Sequence, residues 1–394
     1  MEAVHDERSG QGLFWLAGLV NVALPLPASD QGLRPLQRVP LLMLGFVALF
    51  AGAAAGLVRL AWPMPGLAVS AAGLHGPLMA CGFFGVVIAL ERAVALSRLW
   101  AYLGPLAAGL GTLLALAGAV QWASWLYVLG GLVLLLASLD VFRRQRALFT
   151  LTLVLGALAW VVGNVLWAAG MTVHQVVPWW MAFLVLTIAG ERLELSRFMP
   201  PSPTATRVFA GILGAIVIGL LATHTSGGIR LLGAALLVLS IWLVKQDIAR
   251  RTVRGKGLTR FVAVCLLSGY LWLAVGSSVL LWSGGLLPGT STYDAALHAI
   301  MLGFVFSMVF GHAPIIFPAV LRVPVPYHAW FYGPLAVLHV SLLVRLAGDA
   351  SGQFALTRLG GALNALALIA FIVSTVTAVI RGNPAPSKAA NPKK

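Results

Sequence analysis

Residues 297–320 read LHAIMLGFVFSMVFGHAPIIFPAV. No Asp, Glu, Lys or Arg interrupts them, and as a helix they extend about 36 Å, enough to cross ~30 Å of hydrocarbon. Similar runs recur along the chain. We read twelve, at about 40–61, 70–92, 99–119, 122–141, 147–169, 174–193, 206–224, 228–246, 260–283, 294–318, 328–347 and 357–380. The runs are continuous and lack period-two alternation, which selects helices over the strands of a closed barrel. Composition agrees: 60% of residues are apolar and 9% charged, against about 25% charged in soluble domains. The expected fold is an all-α polytopic transmembrane bundle.

The net charge of +15 is placed as topology, not as a nucleic-acid surface. Assigned to alternating loops, all but four of the 26 Lys and Arg fall on one side, leaving Arg59, Arg230, Arg345 and Arg358 on the other. Basic residues accumulate on the cytoplasmic face, so both termini are expected there, in a bacterial inner membrane. The expected organisation is an N-terminal cytoplasmic and interfacial segment (1–39), one membrane domain (40–381) and a disordered tail (382–394). The apolar stretch 12–27, cut short by Pro25 and Pro27, reads as an interfacial helix. Cys81 and Cys265 fall inside spans, where a free cysteine behaves as a small apolar residue.

An echo runs through the chain at intervals of four helices. LHGPLMACGFFGVVIALERAVALSRLW and VHQVVPWWMAFLVLTIAGERLELSRFM each place a histidine (His75, His174) at the outer end, then a Glu-Arg pair and a Ser-Arg at the inner end. The tenth span also opens on a histidine, His298. A three-fold arrangement of four-helix units accounts for this; so does the bland fact that membrane helices often begin and end alike.

Ionisable residues at membrane depth are functional candidates by default, and neutral imidazole is a common ligand of metals and haem. His75, His174, His298 and His339 fall in the outer half and are the candidate metal and cofactor ligands. His312 lies about 21 Å beyond His298 on the same helix and cannot share its metal; it is a further cofactor-binding candidate. For any one of these, the alternative is a helix-to-helix hydrogen bond worth ~1 kcal/mol. Met79 and Met301 lie one turn from His75 and His298. Asp294, one turn before His298, either orients that imidazole from behind or caps the helix. Glu91, Glu191 and Glu194 are expected to pair with Arg92, Arg192 and Arg197.

On these residues the chain resembles two families. LHGPLMACGFFG is similar to the second-helix motif of haem-copper oxidase catalytic subunits, in which the histidine binds the low-spin haem. The pattern of length, twelve spans and motifs resembles more closely the NnrS family, polytopic proteins linked to nitric oxide metabolism and reported to carry haem and copper. His75 matches the first histidine of that family, and His298, Met308, Gly311 and His312 match its late block. The His-His and His-x-His pairs of the oxidases are both absent here, which argues against a binuclear oxygen-reducing centre. The resemblance implies a haem protein, with copper as a second cofactor, acting in nitric oxide or denitrification physiology beside other respiratory membrane proteins. The competing readings are a transporter of a small solute or metal, and an assembly factor of a respiratory complex.

Overall fold

The computed structural model describes residues 32–195 and 201–382. The apolar stretch 12–27, Ser196, Arg197 and the tail beyond Gly382 lie outside the described residues. Among the described residues, twelve helices are long and apolar enough to cross a membrane: α1 Pro35–Arg59, α2 Ala72–Leu96, α3 Leu99–Leu116, α4 Val120–Arg144, α5 Leu148–Ala168, α6 Val173–Leu195, α7 Pro203–Leu221, α8 Ser226–Gln246, α9 Gly257–Ser283, α10 Ser291–Leu321, α11 Ala329–Ser351 and α12 Phe354–Arg381. The chain is an all-α, multi-pass membrane protein. Exposed Met43, Phe50, Leu136, Leu271 and Val373 stand on its outward faces, where lipid replaces water.

Successive helices pack side by side, and α12 returns to α1. Every fourth helix lies inside the ring so formed: α2 touches α10, α10 touches α6, and α6 touches α2. α6 is the most enclosed, 78% of its apolar window being buried against 33% for α1 and α12. A three-fold arrangement of four-helix units puts those three helices in that place.

Two boundaries differ from the sequence reading. α1 starts at Pro35, not near residue 40, because proline suits the first helical turn. Arg38, expected in a loop, is 5% exposed inside α1. Its guanidinium donates to the carbonyls of Leu33 and Val320 at 2.8 Å each, tying α1 to the end of α10. The second difference lies within helices. α2 contains a π turn at Leu78–Phe83 and α10 another at Ala299–Phe304. Each inserts an extra residue and rotates the rest of the helix, a feature frequent at functional sites.

Candidate functional site

His75 and His298 lie just ahead of those π turns, on neighbouring inner helices, and their ring centres stand 6.3 Å apart with planes 20° from parallel. The Nδ1 of His75 donates to the carbonyl of Gly52 at 2.7 Å. The Nδ1 of His298 donates to the Asp294 carbonyl at 2.9 Å and lies 3.2 Å from that residue's Oδ1. Neither Nε2 has a hydrogen-bond partner among the described residues. An imidazole tied at one nitrogen, with the other free, is the form in which proteins present histidine to metal. Metal–nitrogen bonds of about 2 Å put the centres of two imidazoles on opposite sides of one ion roughly 6 Å apart.

Gly56 makes the arrangement sterically possible. A Cβ there would stand 2.9 Å from both Cε1 and Nδ1 of His75, so only glycine lets α1 approach the ring. Gly52-x-x-x-Gly56 is the small-x-x-x-small spacing by which membrane helices pack closely.

Both histidines line a cavity of about 520 Å³, inside the 300–1,000 Å³ range of small-molecule sites. Its mouth lies at the end of the bundle poor in Lys and Arg, the outer end by the charge rule. Arg59, Tyr293, Asp294, Arg345, Asp349 and Thr357 line that mouth, and Phe84 and Phe306 line the deep end. Phe306 meets Phe84 edge-on at 5.2 Å and is parallel to Phe83 at 5.9 Å. Arg345 grips Asp294 through two bonds of 2.6 and 2.7 Å. Asp294 is thus bound on one side to Arg345 and on the other to His298. Helix capping falls to Thr290, whose hydroxyl accepts from the Tyr293 amide, which leaves Asp294 to orient the imidazole. Met79 and Met301 also line the cavity.

The remaining sequence candidates are elsewhere. His174 is half-buried on the first turn of α6 and bonds Thr172 at 2.9 Å; its neighbour Val173 lines the cavity, but His174 does not. His339 accepts from the indole of Trp272 at 2.9 Å on Nδ1, so its proton sits on Nε2 and no lone pair remains for a metal. The Nδ1 of His312 donates to the Met308 carbonyl at 2.7 Å, and its Nε2 accepts from Arg192 at 3.3 Å. The expected convergence of outer-leaflet histidines reduces to one pair. Among the described residues, no three His, Cys, Asp or Glu side chains gather as a metal cluster.

Arg192 corrects a second expectation. It pairs with buried Asp247 at 2.8 and 3.3 Å, not with a glutamate of its own helix. Asp247 also accepts from the Tyr270 hydroxyl at 2.5 Å and the Ala249 amide at 2.8 Å. The residues missed at the site are Arg345, Asp349, Thr357 and Asn364, from helices distant in sequence. The Gly52–Gly56 spacing is a sequence signal for the close approach of α1 to His75.

Fold and site define a multi-pass helical membrane protein with a histidine-paired cavity at one end. Within that class, residues 38–380 match the family described as Domain of unknown function (DUF8744), and the chain belongs to it. No curated protein matches the chain.

Proposed function

We propose that this chain is a haem-binding protein of the bacterial inner membrane, its iron held between His75 and His298. One observation carries the reading: two imidazoles with Nδ1 tied and Nε2 unpartnered, 6.3 Å apart, lining one cavity. Bound there, a haem supplies one-electron redox chemistry. Gly56, Gly76 and Ala80 line the wall beside His75 with little side-chain bulk, which suits a flat macrocycle. Arg59 is exposed at the mouth and has no hydrogen bond or ion pair among the described residues, so it is the cation available to propionate carboxylates. Asp294 holds the His298 ring in orientation, and Arg345 fixes Asp294 in turn.

The resemblance to NnrS supports a role in nitric oxide or denitrification metabolism, beside other respiratory membrane proteins. Were His75 and His298 both to hold the haem iron, the chemistry it would supply is one-electron transfer, which favours electron transfer, sensing or protection over catalytic reduction of nitric oxide. A copper centre needs ligands beyond this pair, and His174, His312 and His339 do not supply them. Oxidised and dithionite-reduced optical spectra of the detergent-purified protein, with iron and copper analysis, test the reading. A Soret band with about one iron per chain is the expected result. A colourless, iron-free protein from haem-replete cells overturns it and moves the reading to a transporter.

A further inference from the structure

The two facing imidazoles are tied in different ways. The Nδ1 of His75 meets one neutral acceptor, the Gly52 carbonyl, at 2.7 Å. The Nδ1 of His298 meets two oxygens of Asp294, the carbonyl at 2.9 Å and the carboxylate Oδ1 at 3.2 Å. All three oxygens are acceptors, so Nδ1 carries the hydrogen in both rings and each Nε2 keeps its lone pair. A carboxylate behind Nδ1–H makes the imidazole a more basic ligand through Nε2 than an amide carbonyl does.

Arg345 decides how strongly that carboxylate pulls. Its guanidinium donates from Nε to Oδ2 at 2.6 Å and from Nη2 to Oδ1 at 2.7 Å. Oδ1 therefore serves Arg345 and His298 together. What the arginine draws from that oxygen is withheld from the imidazole.

The surroundings of Arg345 are built around this contact. It is 6% exposed at the outer end of the bundle, where a buried cation is costly. Two consecutive glycines of α12 make room for it. A Cβ at Gly360 would stand 2.6 Å from the Arg345 amide nitrogen, and one at Gly361 would stand 3.2 Å from its Nη1. Both of its hydrogen bonds among the described residues go to Asp294. The Asp349 carboxylate, one turn further along α11, is served by Thr357 at 3.1 Å instead. Apolar residues replace a buried ion pair at little or no loss of stability, so tying α11 to α10 does not by itself call for this pair.

We propose that Arg345 is a positioning residue that sets the reduction potential of iron held at His75 and His298, by limiting the pull of Asp294 on the His298 ring. The inference rests on the haem reading above. It goes beyond that reading by making the two axial imidazoles unequal and by placing the control on α11. A more basic imidazole favours the ferric state. An Asp294 freed from Arg345 therefore lowers the potential, and a neutral residue in place of Asp294 raises it. The two losses act in opposite directions, whereas a merely structural pair responds alike to the loss of either member.

The test is a spectroelectrochemical titration of the detergent-purified, pigment-loaded protein and its variants. The midpoint potential is expected to fall in Arg345→Gln and to rise in Asp294→Asn. Arg345→Lys, which keeps the cation but not the paired donors, should lie between Arg345→Gln and the parent. It carries the test together with Asp294→Asn if Arg345→Gln does not fold. Pigment content in each variant stays within about twofold of the parent, since both iron ligands remain. Shifts in the same direction on losing Arg345 and on losing Asp294, or no shift in either, overturn this inference and leave the haem reading standing. A purified parent protein without iron tetrapyrrole overturns both.

Discussion

α2 and α10 on one side, and α6 on the other, share an outer-end histidine and an inner position in the bundle but differ in what surrounds that histidine. All three occupy the inner ring and open with histidine at the outer end. α2 and α10 each break into a π turn and present that histidine to a cavity. α6 runs unbroken from Val173 to Leu195 despite Pro178, and its surroundings are filled. Trp160 is stacked 4.9 Å from Phe183, Trp167 meets Trp180 edge-on at 5.7 Å, and Asn164 saturates its amide on Trp180 and Tyr127. Gly85 lies so close to the indole of Trp160 that a Cβ would overlap it. A histidine in the right place is therefore not a site; a site also needs a second ring opposite, a tied Nδ1 and space.

The largest expected effect breaks or sustains that contrast directly. His75→Ala and His298→Ala each lose the pigment essentially completely, at least tenfold below the parent in the reduced-minus-oxidised spectrum, whereas His339→Ala keeps it. Gly56→Val reaches a similar outcome with both histidines still present, because its Cβ intrudes on the His75 ring. Gly211→Val on the outside of α7 meets no atom within 4 Å and serves as its control. Pigment retained in Gly56→Val would mean that the His75 ring moves freely and that the observed pairing is not the binding geometry.

Next in size is a stability effect at the opposite end of α10. Arg192 and Asp247 are 6% and 2% exposed at their side chains. Removing one member of such a pair strands a buried charge, at about 3–5 kcal/mol. Arg192→Leu should therefore unfold far earlier in thermal melts in detergent. The double variant Arg192→Leu/Asp247→Leu should recover much of the loss. If the single variant melts like the parent, the cluster around His312 is not a structural lock, and His312 regains a claim to function.

How much of this was readable in the chain follows from where the information lies. Span number and the choice of helix over strand come from local hydropathy, which a membrane enforces on each segment separately. His75 and His298 were both legible as candidates, because a histidine inside an apolar run has few bland explanations. The elimination of His174, His312 and His339 was not legible. Each is spoken for by a partner such as Thr172, Arg192 or Trp272, and two of those three partners are more than sixty residues away. Arg345 read as one of four topological outliers, and only the fold reveals the Asp294 carboxylate across from it. The π turns left no local signal, since the residues within them have ordinary helix preferences and the extra residue is imposed by packing.

A smaller stability effect separates two buried asparagines, Asn164 and Asn364. Asn164→Leu leaves the Trp180 indole, the Cys81 thiol and the Tyr127 carbonyl without their partner, a cost of about 1–3 kcal/mol. Asn364→Leu removes an amide of which only one side was bonded, and its cost should be about 1 kcal/mol or less. Paired thermal melts of the two variants check the order. The reverse order would make Asn364 the more structural member of the pair.

The smallest expected effect bears hardest on the comparison, because it concerns a histidine placed like His75 in its span but not presented to the cavity. His174 is half-buried and bonds only Thr172 within its own turn. When it is lost, Thr172 keeps its hydroxyl bond to Gln175 at 2.7 Å and the matching amide bond at 2.9 Å, so the start of α6 stays capped. His174→Ala should change stability by less than about 0.5 kcal/mol and leave pigment and spectrum unaltered, in contrast to the alanine variants of His75 and His298. Pigment loss in His174→Ala would show that α6 contributes a ligand after all. The three inner helices would then be functionally alike, and the filled interior around Trp160 and Trp180 would not be what sets α6 apart.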